Sequence, residues 1–326
     1  MKLINIKSKQ RDYKIIIKKD LLASLKEYLD VNQYYIIISD DNIPKSYINT
    51  VKISLPNHLY IDFPEGEKSK SFEQYKRIIS ILQDNNVTKD ANIIALGGGV
   101  TGDLTGFIAS TYLRGINYIQ IPTSLLAQID SSVGGKVAIN TSKAKNSVGS
   151  FYPPSVVLID PSTIKTLPKR HFNNGIAEMI KYGMIYSKDL FDKILNEDVS
   201  KNLEYYIYES LIIKKYFVES DEYDTAIRQK LNYGHTYGHA YEALYNYDKY
   251  LHGEGIALGM LEVSKGRKYY HTLLKMFKKY NLPTQDTASK EDLLPFVMND
   301  KKKTREYLNL ILVDEIGKSR IEKVKL

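Results

Sequence analysis

The chain has 326 residues, of which 43% are hydrophobic and 26% charged, enough for one large or two ordinary soluble domains. It has no cysteine, which excludes a disulfide framework and any thiolate metal site. Its net charge of +8 comes from 46 basic and 38 acidic residues that are scattered rather than striped, which argues for a phosphate-bearing small substrate and against a nucleic-acid partner.

The N-terminal stretch MKLINIKSKQRDYKIIIKKD holds an apolar run of only three residues between charges. That is too short for a signal peptide or a membrane span, and nothing later reaches span length. A cytoplasmic location with no membrane partner is expected. Ile15–Ile17 reads as a short strand and Leu21–Leu29 as a short helix. Tyr34–Ser39 is a stiff β-branched run that ends in Asp40, Asp41 and Asn42. Nucleotide folds hold ribose hydroxyls with acidic residues at the end of such a buried strand, although Asp and Asn are also plain turn residues. Phe63–Ser71 is a polar loop containing Gly66, and Phe72–Gln83 has helical periodicity.

Asn92–Leu96 is the next buried strand, followed directly by Gly97-Gly98-Gly99-Val100-Thr101-Gly102-Asp103. Glycines between a strand and a helix let backbone N–H groups approach a phosphate, with the helix N-terminus behind them. The run is neither the G-x-G-x-x-G fingerprint nor a P-loop. It predicts a dinucleotide pyrophosphate held by a distinct loop, a tight βα turn being the plain alternative. Tyr118–Ile121 is a further strand, ending in Pro122-Thr123-Ser124. Gln128–Lys136 then carries Asp130 and a Gly-Gly-Lys, with Asn140, Lys145 and Asn146 soon after. A lysine over exposed backbone amides suits a phosphate or carboxylate. Val156–Asp160 closes this α/β half, and Pro153, Pro154 and Pro161 mark a boundary.

From Thr163 onward, residues 171–186, 189–196, 202–219, 227–245, 253–280 and 288–299 read as helices, with Leu308–Val313 the one late strand. The predicted architecture is α/β: a Rossmann-like domain with a parallel sheet over residues 1–162, then a mostly α-helical domain over residues 163–326. Glu178 and Lys181 are three apart within the apolar segment NGIAEMIKYG. They form either a surface ion pair or a buried carboxylate in need of a partner. Three of the six histidines, His235, His239 and His252, fall in LNYGHTYGHAYEALYNYDKYLHGEG. His235 and His239 share a helical face. Glu178 with two of the three histidines would make a His2Glu metal site with an open position.

Taken together, GGGVTGDLTGF, TYLRG, IPTSLLAQIDSSVGGKVAIN, Lys145-Asn146, NGIAEMIKYG, LNYGHTYGHAYE and HGEGIALGM resemble the 3-dehydroquinate synthase family, the sugar-phosphate cyclases of the shikimate pathway. The resemblance runs over nearly the whole chain. It implies an NAD-binding first domain and a metal- and substrate-binding second domain. It implies zinc, with cobalt a fitting substitute, on Glu178, His235 and His252, and it gives His239 to substrate and proton chemistry. Cofactor positions match Asp40, Asp41, Asn42, Glu67, Lys70, Gly98, Gly99, Val100, Asp103, Thr123, Ser124, Lys145, Thr163 and Thr166. Catalytic and phosphate positions match Asp130, Lys136, Asn146, Lys181 and Arg114, the last reaching a neighbouring subunit and so implying a homodimer. Asn174, Lys214, Arg228, Asn232 and Lys301 match substrate-binding positions. Asp224 stands where the family commonly has a glutamate, one methylene longer, and Ser124 where it has a threonine.

The implied reaction converts 3-deoxy-D-arabino-heptulosonate 7-phosphate to 3-dehydroquinate and phosphate. A sister cyclase acting on a substrate without a carboxylate is the nearest alternative, and Lys214 and Arg228 speak against it. A metal-dependent polyol dehydrogenase of the same superfamily is the next.

Overall fold

The computed structural model describes residues 1–142, 144–298 and 307–325. The chain divides into two compact units, Met1–Leu167 and Pro168–Leu326. The first unit contains, in order, β1 (Lys2–Ile6), β2 (Tyr13–Ile17), β3 (Tyr35–Asp40), α1 (Lys45–Ser54), β4 (His58–Phe63), α2 (Phe72–Asp84), β5 (Asn92–Gly97), α3 (Gly99–Thr111), β6 (Asn117–Pro122), β7 (Lys136–Ile139), β8 (Val148–Phe151) and β9 (Val156–Ile159). The second contains α4 (Lys169–Ile185), α5 (Lys188–Asn196), α6 (Leu203–Ser220), α7 (His235–Leu244), α8 (His252–Ser264), α9 (Tyr270–Lys279), α10 (Lys290–Met298), β10 (Tyr307–Glu315) and β11 (Lys318–Lys325).

Seven strands of the first unit form one sheet in the order β1-β2-β9-β6-β5-β3-β4. Every neighbouring pair is parallel except β1 with β2, which is antiparallel at the edge. Strand β3 shows why its sequence reads as an unbroken apolar run. Ile36 and Ile38 face one hydrophobic cluster with Ile93, Leu104 and Phe107, while Tyr35 and Ile37 face another with Val51, Leu96 and Leu158. A central strand buried on both faces loses the polar alternation of a half-exposed one. Helix α3 is buried nearly all round, because β7 packs against it as well as the sheet and supplies Val137 and Ile139 to the same cluster.

The sheet order places a switch point between β3 and β5. From β3 the chain moves outward to β4; from β5 it moves the other way to β6. Ligands of open α/β sheets bind at the carboxyl ends of strands at such a point. Asp40 ends β3, Gly97 ends β5 and Pro122 ends β6, so the acidic pair, the glycine run and Thr123-Ser124 share one edge.

Several sequence expectations need correction. Residues 227–245 are not one helix: a short 3-10 turn over Ile227–Asn232 ends before α7, and Gly234 takes a left-handed φ of 78° at the break. Residues 253–280 divide into α8 and α9 around Gly266, at φ 77°. Leu308–Val313 is not the single late strand: β10 pairs antiparallel with β11, whose charged and largely exposed sequence hides it. Strand β1, helix α1, strand β4 and the β7–β8 hairpin carry no strong periodicity and are set by their packing partners. Among the described residues, no helix is long and apolar enough to cross a membrane.

In the second unit, α7 and α8 approach backbone to backbone. A Cβ at Gly259 would land on the carbonyl oxygen of Gly234 and lie 2.6 Å from the Gly238 nitrogen. Neither neighbour is a flexible side chain, so the helices would have to separate. We expect Gly259→Ala to cost roughly 1–3 kcal/mol in urea unfolding, the usual range for overpacking. An unchanged midpoint would show that the α7–α8 contact is looser than described.

Candidate active site

The three clustered histidines come together because α7 and α8 start at them. His235 is the first residue of α7, His239 lies one turn on, and His252 is the first residue of α8. Their ring centroids are 5.3, 5.3 and 5.7 Å apart, and one ligand nitrogen from each lies within 4.8 Å of the others. His235 is buried, His252 partly exposed and His239 exposed.

Glu178 faces this cluster from the middle of α4, its side chain only 1% exposed. Its Oε1 is 3.9 Å from His235 Nε2 and 3.8 Å from His252 Nε2. That oxygen has no hydrogen-bond donor among the described residues. Its Oε2 pairs with Lys181 Nζ, and both side chains are buried, so the surface-pair reading of Glu178 and Lys181 is wrong.

The other ring nitrogens settle which atoms face Glu178. His235 Nδ1 is 3.1 Å from the Tyr233 carbonyl oxygen, and His252 Nδ1 is 2.9 Å from Glu242 Oε1. A carbonyl and a carboxylate only accept, so both Nδ1 atoms donate, and in the neutral ring each Nε2 keeps its lone pair. Two imidazole nitrogens 3.9 and 3.8 Å from an unsatisfied carboxylate oxygen are a donor set that fits a divalent cation, and the three histidines form another. Burial alone would lower the His252 pKa, but the Glu242 and Glu178 carboxylates outweigh it and hold it above its ordinary value.

Further groups frame this site. Asn174 Oδ1 accepts the Gly253 N–H at 2.6 Å, holding the first turn of α8. Gly253 has no room for a Cβ beside the Asn174 carbonyl. Lys214 is buried on α6 and Arg228 on the turn before α7. Asp221 organises that turn: its carboxylate accepts from the N–H groups of Thr225, Ala226 and Arg228 at 3.0, 2.6 and 3.1 Å. Burial opposes ionisation of Asp221, but those backbone bonds prevail and its pKa is lowered. Asp224 sits inside the turn with a left-handed φ of 59°. Asn232 is half-buried just before α7, and Lys301 lies outside the described residues.

In the first unit the expected cofactor residues form two groups. At the switch point, Asp40 accepts a hydrogen bond from Thr101 Oγ1 at 2.7 Å, and desolvation raises its pKa. Asp41 accepts the Glu65 N–H at 2.8 Å, and Asn42 follows in the same turn. Gly98, Gly99 and Val100 open α3, and Ser124 and Ser131 approach the positions a Cβ would take on Gly98 and Gly99. The second group centres on Lys70, buried and 2.7 Å from Asp103 Oδ2, with its Nζ also donating to Asn146 Oδ1. Burial would lower the Lys70 pKa, but Asp103 and Glu67 together raise it.

Asn140 ties this second group together. Its Nδ2 donates to Glu67 Oε1 at 2.8 Å, and its Oδ1 accepts the Asn146 N–H at 2.8 Å. Lys145 Nζ is 4.0 Å from Glu67 Oε1. Lys136 is exposed after Gly134 and Gly135, both at positive φ, and Asp130 is half-buried just ahead of them. Arg114 is exposed on a tight turn at φ 61°. Thr123 is buried, its N–H donating to the Gly97 carbonyl. The Thr163 hydroxyl is already committed, donating to the Asp160 carbonyl at 2.9 Å and accepting from Gln128. Thr166 is exposed beside it, its hydroxyl donating to the Thr163 carbonyl.

Residues 60–174 match the model of the 3-dehydroquinate synthase N-terminal domain, and residues 175–303 that of its C-terminal domain. The chain belongs to the 3-dehydroquinate synthase family. It is an enzyme, a carbon–oxygen lyase. The 3-dehydroquinate synthase of Clostridium kluyveri is 42% identical over 346 aligned positions, spanning 100% of this chain and 96% of that protein. That of Dictyoglomus thermophilum is 43% identical over 341 positions, spanning 98% and 94%.

Among solved structures, 2-deoxy-scyllo-inosose synthase complexed with carbaglucose-6-phosphate, NAD+ and Co2+ superposes with a TM-score of 0.90 at 24% identity, over 99% of this chain and 97% of that one. The 2-epi-5-epi-valiolone synthase of Streptomyces hygroscopicus subsp. jinggangensis 5008, with NAD+ and Zn2+ bound, gives 0.89 at 21% identity, over 98% and 95%. At that identity the likeness is one of fold. The 3-dehydroquinate synthase family is thus built on a scaffold shared with other cyclases.

Sequence reasoning missed Glu242, Asp221 and Asp286 as supports of these sites, and singled out Asn140 without giving it a role. Glu242 was legible in part, because it continues the helical face of His235 and His239 at the next turn. Asp286 was not. Its carboxylate accepts from Tyr245 Oη at 2.7 Å, Lys249 Nζ at 2.6 Å, Tyr250 Oη at 2.5 Å and the Ala288 N–H at 2.8 Å. It anchors the loop that leads into His252. Burial opposes ionisation of Asp286, yet these four donors hold its carboxyl far below the usual range.

A carboxyl with a depressed pKa contributes stability that is complete above its unfolded value, near 3.9, and is lost as pH falls through the folded one. We therefore expect Asp286→Ala to lose roughly 3 kcal/mol in chemical denaturation at pH 7. The deficit should shrink as the buffer is taken from pH 5 to pH 2. A deficit that did not change over that range would show that the anchor is packing rather than charge.

Proposed function

We propose that the chain converts 3-deoxy-D-arabino-heptulosonate 7-phosphate to 3-dehydroquinate and phosphate, with catalytic NAD and a divalent metal. The observation that carries this reading is the buried Glu178 carboxylate oxygen, without a donor, facing two imidazole lone pairs in a chain of this family. Glu178, His235 and His252 would hold zinc, or cobalt in its place. When bound, the metal supplies Lewis-acid polarisation of substrate hydroxyls, and NAD supplies acceptance and return of a hydride.

The chain's own residues do the rest. Asp40, Asp41 and Asn42 at the end of β3, with Gly98, Gly99 and Val100 at the start of α3, offer carboxylates and backbone N–H groups of the kind that take ribose and pyrophosphate. Glu67, Lys70, Asp103, Thr123, Ser124, Lys145, Thr163 and Thr166 complete the cofactor set. Lys136 and Asn146, with Arg114 from the second subunit of a homodimer, hold the phosphate and stabilise it as it leaves. His239, exposed in the histidine cluster, serves substrate and proton chemistry. Asp130, Lys181 and Asp224 complete the catalytic set. Asn174, Asn232 and Lys301 bind substrate hydroxyls, and Lys214 and Arg228 bind its carboxylate. The reaction takes place in the cytoplasm.

Purified protein given this heptulosonate phosphate and catalytic NAD should release stoichiometric phosphate with no net NADH, and a chelator should abolish turnover. Inactivity with that substrate but turnover of a carboxylate-free sugar phosphate would assign the chain to a sister cyclase instead. Arg228→Gln or Lys214→Gln should lower kcat/KM roughly 10- to 100-fold, the worth of a charge-assisted hydrogen bond. Full activity in the double variant would remove the carboxylate assignment.

A further inference from the structure

We infer that Glu242 is a positioning residue for the metal centre, its carboxylate accepting a hydrogen bond from His252 Nδ1–H and so turning Nε2 toward Glu178. The inference rests on the metal reading of Glu178, His235 and His252 given above.

Glu242 lies on α7 and His252 on α8, so the bond joins the two helices that carry the imidazoles. Glu242 is 3% exposed, and a buried carboxylate must be paired. Its Oε1 sits 2.9 Å from His252 Nδ1. The neighbouring helix leaves room for it: a Cβ at Gly255 would lie 3.1 Å from Glu242 Cγ and 3.7 Å from Cδ. A larger residue there would press on the stem of the carboxylate.

The two imidazoles are held unequally. His235 is nearly buried, its side chain 11% exposed, and a neutral backbone carbonyl orients it. His252 is 34% exposed, so packing restrains its ring far less. A charged acceptor is the stronger restraint, and it stands where the ring is least confined. It also makes the imidazole a more basic ligand. Glu242 therefore fixes the tautomer, orientation and donor strength of the histidine that most needs fixing.

The test is zinc affinity of the purified full-length protein, read by competition with a chromophoric chelator. Glu242→Gln keeps an acceptor but removes the charge, and should weaken zinc about tenfold, while Glu242→Ala should weaken it about 100-fold. Both should shift the visible spectrum of the Co2+-loaded protein. If His252→Ala loses zinc while both Glu242 variants bind as tightly as the parent, Glu242 only supports the fold and the inference fails. If the parent protein itself binds no zinc, or His252→Ala binds as the parent does, the metal reading falls first and takes the inference with it. Should the Glu242 variants not fold, nitrogen NMR of histidine-labelled, zinc-loaded parent protein decides the matter. A His252 ring protonated at Nδ1 and metal-bound at Nε2 supports the assignment, and the opposite tautomer overturns it.

Discussion

The backbone contact between α7 and α8 is the constraint on which the second unit depends. Gly234, Gly238, Gly255 and Gly259 bring no side chain of their own into the seam, so each helix approaches the other's main chain. That proximity brings the first residue of one helix, His235, beside the first residue of the other, His252. It also brings Glu242 of one within hydrogen-bond reach of His252 on the other. Any side chain added in this seam separates the groups that meet across it. The glycines are costly as helix residues, since each gives up propensity relative to alanine. Here that cost is offset by a contact no other residue type permits.

The same unit concentrates buried charge. Glu178, Lys181, Lys214, Arg228 and Glu242 are all buried. A folding domain gains little from burying such groups, because desolvation opposes most of the attraction between partners. Their value lies in where the remaining unsatisfied atoms point. Glu178 gives one oxygen to Lys181 and leaves the other facing two imidazole nitrogens. Asp221 and Asp286 act differently. Each is saturated with donors, and each holds a loop that delivers a functional residue, Arg228 in one case and His252 in the other.

The first unit solves a separate problem with separate means. In its parallel sheet the chain leaves β3 and β5 toward opposite edges, and the gap at their carboxyl ends gathers Asp40, the glycine run and the start of α3. Next to it, Asn140 binds both the Glu67–Lys70 turn and the Lys145–Asn146 turn, making one polar network from segments some 70 residues apart in the chain. In the first unit hydrogen bonds shape loops over a rigid apolar sheet; in the second, helix packing itself forms the site.

The sequence alone determined what depends on local pattern. Doubly buried strands such as Tyr35–Asp40 declare themselves by an apolar run, the glycines after β5 by their place between strand and helix, and the histidine cluster by its spacing. Long ordered motifs such as LNYGHTYGHAYE identified the family. What only the tertiary structure decided depends on contacts between distant segments. Gly234 and Gly266 break apparent helices by taking positive φ, which periodicity does not register. Strand β11 exists because β10 pairs with it, not because its charged sequence favours a strand. Whether Glu178 and Lys181 are surface or core, and which nitrogen of each histidine faces Glu178, turned on Tyr233, Glu242 and the packing of α4. Hydrogen-bond direction is a property of the assembled partners, and no residue carries it alone.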